Sequence, residues 1–199
     1  MNEKLDLLKS KVTEASANPD FVHHKWFVKY HLEIVERIAL ELLEFYPGAD
    51  RDVVVAMAWM HDYGKILDFD NQYDVTLTAG PQLMQQLGFD DEFTKRVIGG
   101  IEILDQNMEI DINQASLEVK IVSSADGCSH LVGPFMSLWL YENPQKSVEE
   151  LLAGNIRKAD KDWSRKIVLP EARAAFQARH DVVVEQSGVF PDTFLNPGN

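Results

Sequence analysis

The sequence predicts an all-α protein, folded as a single domain that is a bundle of helices. Apolar residues recur at three- and four-residue intervals along most of the 199 residues, which is the spacing of one helix face. Asn-Pro-Asp, Pro-Gly and Asp-Asn sequences separate the segments that carry this pattern, and such sequences form turns. A chain of this length, with 45% hydrophobic and 26% charged residues, predicts one globular domain, here over residues 1–199.

The first part of the chain predicts three helices, over residues 3–15, about 20–45 and 51–61. Pro19 ends the first, and Asp50 is placed to cap the third. The third segment is apolar on all sides from Val53 to Met60, so we expect it to be the central, buried helix. Residues 62–73 are predicted to be irregular.

The remaining segments predict six further helices, over residues 79–87, 91–104, 116–130, 135–141, 147–167 and 171–186. Ser147 and Glu150 form a capping-box pattern, and Pro170 is suited to opening the last helix. We expect a motif-bearing core over about residues 20–130, followed by a helical extension over about 134–187.

The net charge of −13 makes binding of polymeric nucleic acid improbable, because an acidic surface repels a phosphate backbone. A small phosphorylated ligand is compatible with this charge, since a bound metal ion can invert the local electrostatic field in a pocket. A single cysteine, Cys128, precludes an internal disulfide. The first residues have no apolar signal-peptide core, and no apolar run is long enough to cross a bilayer. We therefore expect a cytoplasmic protein that does not bind membranes.

Two histidines and two aspartates fall on predicted core-facing positions. His31 lies within the apolar stripe of the second helix, His61 and Asp62 end the central helix, and Asp126 lies on the apolar side of a later helix. A carboxylate in an apolar setting is costly unless it is paired, protonated or bound to metal. Neighbouring helical residues point about 100° apart, so His61 and Asp62 reach one ion only at a helix end. Gly64, which allows a positive φ, is expected to supply that break.

The wider pattern resembles the HD-domain superfamily of metal-dependent phosphohydrolases. It reads H-L-E-I-V-E-R-I-A from His31, A-M-A-W-M-H-D-Y-G-K ending at Lys65, and V-S-S-A-D ending at Asp126. The resemblance covers roughly residues 20–130, and the H-D-Y-G-K segment is its most specific part.

The resemblance implies an all-α fold and one divalent metal ion held by His31, His61, Asp62 and Asp126. It also implies hydrolysis of a small phosphomonoester or phosphodiester, with nucleotides among the candidates, by attack of a metal-bound water. Family members that bind two metals carry extra histidines, but this chain has none between His61 and His130. A single metal is therefore expected.

Two nitrogens and two carboxylate oxygens suit Mn²⁺, Co²⁺, Ni²⁺, Fe²⁺, Mg²⁺ or Zn²⁺. Asp62 or Asp126 is a candidate to take the proton of the attacking water. Lys65, which stands where some members carry a glutamate, and His130, one turn after Asp126, are candidates to assist the phosphate or the leaving group.

Glu102 and Asp105 are expected on a solvated helix face; the alternative is that they hold a water or a second ion, or that one of them takes the place of Asp126 as ligand. The basic cluster of Lys158, Lys161, Arg165 and Lys166 is expected to pair with Asp160 and Asp162 on a helix surface, and a phosphate-facing role is its alternative. The alternative function is a non-catalytic nucleotide-binding or sensor module of the same fold. A di-iron oxygenase is a weaker alternative, because it needs more histidines near the site.

Overall fold

Helices make up the fold throughout the described chain. The computed structural model describes residues 1–105, 109–190, 192–193 and 195, and these ranges hold ten α-helices and no strand. In chain order they are α1 (Asn2–Ser16), α2 (Glu33–Leu43), α3 (Arg51–Met60), α4 (Tyr63–Leu67), α5 (Gln72–Gln86), α6 (Asp91–Asp105), α7 (Leu117–Ser129), α8 (Phe135–Glu142), α9 (Val148–Lys161) and α10 (Pro170–Gln186). Two π-helical turns (Val28–Leu32 and Asp162–Lys166) and a 3₁₀ turn (Ile112–Gln114) complete them. The prediction of an all-helical single domain is confirmed; for residues 106–108, 191, 194 and 196–199 it lies outside the described residues.

The centre of the molecule is α3, as the sequence predicts. Each side chain from Val53 to Met60 is buried, and Asp50 accepts hydrogen bonds from the backbone N–H groups of Asp52 and Val53. Helices α1, α2, α6 and α7 pack around α3. The C-terminal helices α9 and α10 contact one another, and α10 and the second π-helical turn pack on α7, so the end of α3 and the end of α7 face the same region.

Residues 20–26 differ from the predicted long helix. They form successive turns, and the helical conformation begins with the π-helical turn Val28–Leu32. Phe21 and Trp26 are buried in these turns, and the indole N–H of Trp26 donates to Glu142 Oε1 at 2.6 Å. Burial of these aromatic rings, with Trp26 packed on Phe135 of α8, outweighs the local helical pattern.

The segment after His61 was expected to be irregular, but it is helical in α4 and again from Gln72 onwards. The expectation of a positive φ at Gly64 is also wrong, since the positive-φ glycines of the described chain are Gly88, Gly133 and Gly188. A Cβ at Gly64 would lie 1.9 Å from the carbonyl oxygen of Gln72. Glycine is required here because α4 and α5 approach closely.

The helix predicted over residues 79–87 is the C-terminal part of α5, which begins at Gln72. The remaining predicted helices match the structure, apart from the end of α9. Ser147 and Glu150 form both hydrogen bonds of the capping box. The helix ends at Lys161, and the π-helical turn Asp162–Lys166 replaces its predicted last turn. Within the described part of the chain, no helix is both long and apolar enough to cross a membrane.

Candidate metal centre

Four elements bring together the side chains that the sequence singled out. His31 lies in the π-helical turn before α2, His61 and Asp62 form the junction of α3 and α4, and Asp126 lies in α7. His31, His61 and Asp126 are buried, and Asp62 is half-buried. The junction places the two neighbouring residues His61 and Asp62 on one site because α3 ends at Met60, just before them, and α4 begins at Tyr63, just after them.

Hydrogen bonds fix the orientation of both imidazoles. His61 Nδ1 lies 2.9 Å from the carbonyl oxygen of Ala58, so this nitrogen carries the ring proton. His31 Nδ1 lies 3.0 Å from Ser129 Oγ, and that hydroxyl donates its own proton to the Asp126 carbonyl at 2.7 Å. Ser129 therefore accepts from His31, and the Nε2 lone pairs of both rings are directed into the site.

Two lysines orient the carboxylates in the same way. Lys65 Nζ donates to Asp62 Oδ1 at 2.7 Å, which leaves Oδ2 facing the histidines. Lys166 Nζ donates to Asp126 Oδ2, which leaves Oδ1 facing them. One oxygen of each carboxylate is thus held by a lysine, and the other is available to a cation, as is common around metal ligands.

The Nε2 atoms of His31 and His61 lie close to each other and to one oxygen of each aspartate. His31 Nε2 lies 3.3 Å from His61 Nε2, 3.3 Å from Asp62 Oδ2 and 3.7 Å from Asp126 Oδ1. His61 Nε2 lies 3.6 Å from Asp62 Oδ2 and 3.7 Å from Asp126 Oδ1. Ligands about 2.1 Å from a common ion are separated by roughly 3.0–3.5 Å when they are adjacent. His31, His61 and Asp62 therefore form a group that could hold a metal ion, and Asp126 lies 3.7 Å from both histidines of this group.

His130 extends the cluster. Its ring stacks on that of His31 with centroids 5.2 Å apart, and its Nε2 lies 3.3 Å from Asp126 Oδ1. Ligand atoms of His31, His61 and Asp62 form one group within 4.8 Å of one another, and those of His31, Asp126 and His130 form a second. On its other side, His130 Nδ1 lies 2.8 Å from Asp162 Oδ2. The sequence did not single out Asp162 as a partner of His130.

The protonation states follow from burial and charge. Burial lowers the pKa of His31 to about 3, so this ring is neutral, as a metal ligand must be. Burial also lowers the pKa of His61, but the charges of Asp62 and Asp126 outweigh it and raise the net value. Burial raises the pKa of both aspartates, but Lys65 and His61 at Asp62, and Lys166 and His130 at Asp126, hold each well below its usual range.

The site opens into a cavity of about 280 Å³. Cationic side chains on its wall include Lys65, Lys158, Lys161 and Lys166. Lys158 and Lys166 are half-buried and not on an exposed helix face as expected. The expected pairing with Asp162 is formed, since Lys158 donates to both of its oxygens at 2.9 Å. Lysines spaced four residues from aspartates are typical of exposed helix faces, so the sequence carried no signal that separates the two cases.

Asp105 also differs from its assignment to the solvated surface. It ends α6 and lines the same cavity. Burial, followed by the charge of Asp62, raises the pKa of its carboxyl group to about 7. The cavity thus holds one carboxyl group that titrates near neutrality beside two that stay ionised.

Comparison of the chain with protein-family models, with curated proteins and with solved structures finds no match. The chemistry of the site is therefore argued from its own geometry: buried histidines and aspartates that can hold a metal ion, in a cavity with a cationic wall.

Proposed function

We propose that the protein is a metal-dependent phosphohydrolase of the HD-domain superfamily that cleaves a small phosphomonoester or phosphodiester. The observation that carries this proposal is the facing pair of Nε2 atoms in His31 and His61. Both Nδ1 protons are committed to oxygen acceptors, so two lone pairs converge at 3.3 Å. Such an arrangement requires a proton or a metal ion between the rings, and Asp62 and Asp126 supply the negative charge that favours a divalent ion.

The proposed metal ion agrees with the chemistry of the side chains that would bind it. Neutral imidazoles and ionised carboxylates suit one ion of Mn²⁺, Co²⁺, Ni²⁺, Fe²⁺, Mg²⁺ or Zn²⁺. When bound, such an ion activates water and neutralises charge on a phosphoryl group. The HD type of helical fold is part of the same proposal.

The lysines on the wall of the metal-centre cavity favour a phosphate ester as the substrate. The chain carries a net charge of −13, yet four lysines line this cavity. Lys65 and Lys166 each use one donor on a ligand carboxylate, and an ammonium group has three donors. Each therefore keeps donors for phosphate oxygens, and the cavity attracts an anion that the rest of the surface repels.

We assign proton transfer in the reaction by comparing the pKa values of the candidate residues. Asp62 and Asp126 are poor proton acceptors because their pKa values lie well below the usual range. Asp105, with a pKa of about 7, is better matched to accept a proton from the attacking water near neutral pH. His130 is held between Asp162 and Asp126, and burial lowers its pKa, so we assign it to positioning within the cavity and not to proton donation near neutral pH.

A second candidate function is binding of a phosphorylated ligand without turnover. One observation favours it: Lys65 and Lys166 already neutralise Asp62 and Asp126 without any metal. A nucleotide-binding or sensor module would use these lysines and His130 to hold the phosphate group.

The deciding experiment measures phosphate release from a panel of phosphomonoesters and phosphodiesters by the Mn²⁺- or Co²⁺-loaded protein. We expect phosphate release to depend on the metal and to fall at least about 100-fold in His61→Ala. Excess substrate should restore release neither in the metal-stripped protein nor in that variant. His180→Ala, which removes an imidazole outside this cavity, is the matched control. Equal release by wild type and a folded His61→Ala variant would contradict the proposal, and tight ester binding without release would favour the binding module.

A further inference from the structure

A second cleft adjoins the metal-centre cavity on the side of α8 and α9. This side cleft has a volume of about 350 Å³. The residues that line both the side cleft and the metal-centre cavity are His23, Trp26, Phe69, Phe135 and Lys158. Because the two spaces share these walls, a molecule whose phosphate lies at the metal centre can extend into the side cleft.

Two nitrogen donors of the side cleft have no partner among the described residues. Arg157 and Trp139 line the side cleft but not the metal-centre cavity. Neither the Arg157 guanidinium group nor the Trp139 indole N–H group forms a hydrogen bond or an ion pair within the described part of the chain. Arg157 is exposed and the Trp139 side chain is 36% exposed, so a ligand can reach both from solvent.

Gly154 brings these two donors to the same place on α9. A Cβ at this position would lie 3.3 Å from Trp139 Nε1 and 3.9 Å from Arg157 Nη2, so both nitrogen atoms border the space above one glycine. A carboxylate or a phosphate group carries at least two oxygens, and a guanidinium group matches the geometry of either. One oxyanion can therefore accept from the guanidinium and from the indole together.

The charges around this position favour an anion. Lys146 Nζ lies 4.5 Å from the centre of the Trp139 ring and adds positive charge beside the indole. Of the described residues that line the side cleft, the only acid is Glu142. Its two oxygens lie 2.8 Å from His23 Nδ1 and 2.6 Å from Trp26 Nε1, so both are already bound. The wall of the side cleft therefore supplies no carboxylate partner for the guanidinium group.

Apolar side chains form the rest of the way from this position to the metal centre. The rings of Trp26, Phe69 and Phe135 belong to the wall common to both spaces, and the thioether of Met136 lines the side cleft beside them. Such groups favour apolar contacts over charged ones. A ligand that extends along this wall is expected to have an apolar middle section.

We propose that Arg157 and the Trp139 indole N–H group bind a second oxyanion of the substrate, a carboxylate or a phosphate, across an apolar spacer from the phosphate that is cleaved. This inference rests on the proposed function, which places the cleaved phosphate at the metal centre. It narrows the substrate from any small phosphate ester to one with an anionic group at each end. An ester whose far end is uncharged lacks the group that Arg157 binds.

Binding of hydrolysis-resistant phosphonates tests the inference without any turnover. The probes are phosphonocarboxylates and bisphosphonates with alkyl spacers of graded length, each compared with the alkylphosphonate of the same length. All are titrated calorimetrically into the Mn²⁺-supplemented protein. At the spacer length that joins the two positions, we expect the second anion to tighten binding at least about fivefold, as hydrogen bonds to a charged group do. The series with the larger gain assigns the second anion as carboxylate or phosphate.

Three variants locate that gain. Arg157→Gln, at an exposed position, is expected to remove most of the gain and to leave the alkylphosphonates unchanged. Trp139→Phe keeps an aromatic ring but removes the N–H group, so we expect the gain to fall at least about twofold. Arg37→Gln is the matched control, since Arg37 is an exposed arginine of α2 outside both spaces, and it should change no affinity.

Equal affinity for the probes with and without a second anion, at every spacer length, would overturn the inference, and so would the absence of binding by both. A gain that survives Arg157→Gln would overturn it as well. A gain lost in Arg157→Gln but unchanged in Trp139→Phe would overturn the assigned indole contact. Failure of the proposed function is read separately, as absence of phosphate release from every ester, because the phosphonate affinities do not depend on hydrolysis.

Discussion

The Nε2 atoms of His31 and His61 face each other at 3.3 Å, while the Nδ1 atom of each ring is bound to an oxygen acceptor. The two rings come from elements 30 residues apart in the chain. In the metal-free protein, a proton on His61 relieves the contact between the lone pairs, which agrees with the raised pKa of His61 and the lowered pKa of His31. The pair is therefore built around one positive charge, and a divalent ion competes with that proton.

The first prediction from this histidine pair concerns metal binding. We expect one tight site for Mn²⁺ or Co²⁺ per chain by isothermal titration calorimetry, and at least about 100-fold weaker binding in Asp126→Ala, because a carboxylate ligand is lost. Bound metal should also raise the thermal midpoint, since a ligand at 100 times its Kd stabilises the folded state by about 2.7 kcal/mol. Asp160→Ala removes an exposed carboxylate and should bind as wild type does. No saturable site in the wild type would contradict the metal assignment.

The stability of the metal-free protein should depend on pH through His31. An unfolded histidine takes up a proton below its ordinary pKa of 6.5, whereas folded His31 stays neutral down to about pH 3. The unfolded state therefore binds more protons in this window, and the free energy of unfolding rises with pH by up to about 1.4 kcal/mol per unit for this group.

His61 acts in the opposite sense. Its raised pKa contributes stability that is fully present below 6.5 and is lost as the pH rises through the folded value. Chelator-treated protein is thus expected to be most stable near pH 6.5 in urea unfolding. His31→Gln should flatten the slope between pH 4 and 6; an unchanged slope in a folded variant would show that His31 is not buried as a neutral ring.

Much of the fold could be predicted because its strongest signals are local. The apolar run of α3 and its Asp50 cap, and the Ser147–Glu150 capping box of α9, are confirmed. The failures lie where contacts distant in sequence decide the structure. Residues 20–26 are not helical because Phe21 and Trp26 are buried in turns. Between residues 62 and 73, no periodicity in the sequence indicates that α4 packs on α5.

Part of the candidate site could be predicted from local sequence motifs, and part could not. The H-D-Y-G-K segment and His31 led directly to residues that the fold brings together. The contacts of Asp162 with His130 and of Lys166 with Asp126 were not predicted, because both residues lie in the π-helical turn that replaces the expected last turn of α9. In the sequence, their spacing from neighbouring charges resembles that of an exposed helix face.

Gly64 should be intolerant of the smallest substitution. In Gly64→Ala, the new Cβ would meet the Gln72 carbonyl oxygen at 1.9 Å, so α4 and α5 must separate. We expect a loss of about 3 kcal/mol or more in the free energy of unfolding, with weaker metal binding because Asp62 begins this segment. Gly99→Ala is the matched control: its Cβ would meet nothing within 4 Å in the interior of α6, so a gain of up to about 1 kcal/mol is expected. Similar effects at the two glycines would contradict the close approach at Gly64.

Metal binding near pH 7 should release protons, and part of this release should come from Asp105. With a pKa of about 7, the Asp105 carboxyl group is about half protonated at that pH in the metal-free protein. A cation entering the same cavity favours its ionised form, and it also displaces the proton from His61 Nε2. Calorimetric titration of Mn²⁺ in two buffers of different ionisation enthalpy measures the number of protons released. Asp105→Asn is expected to lower that number without removing it, whereas Glu102→Gln, an exposed position on the same helix, should leave it unchanged. If Asp105→Asn releases as many protons as wild type, Asp105 does not sense the bound ion, and its assignment as proton acceptor in the reaction fails with it.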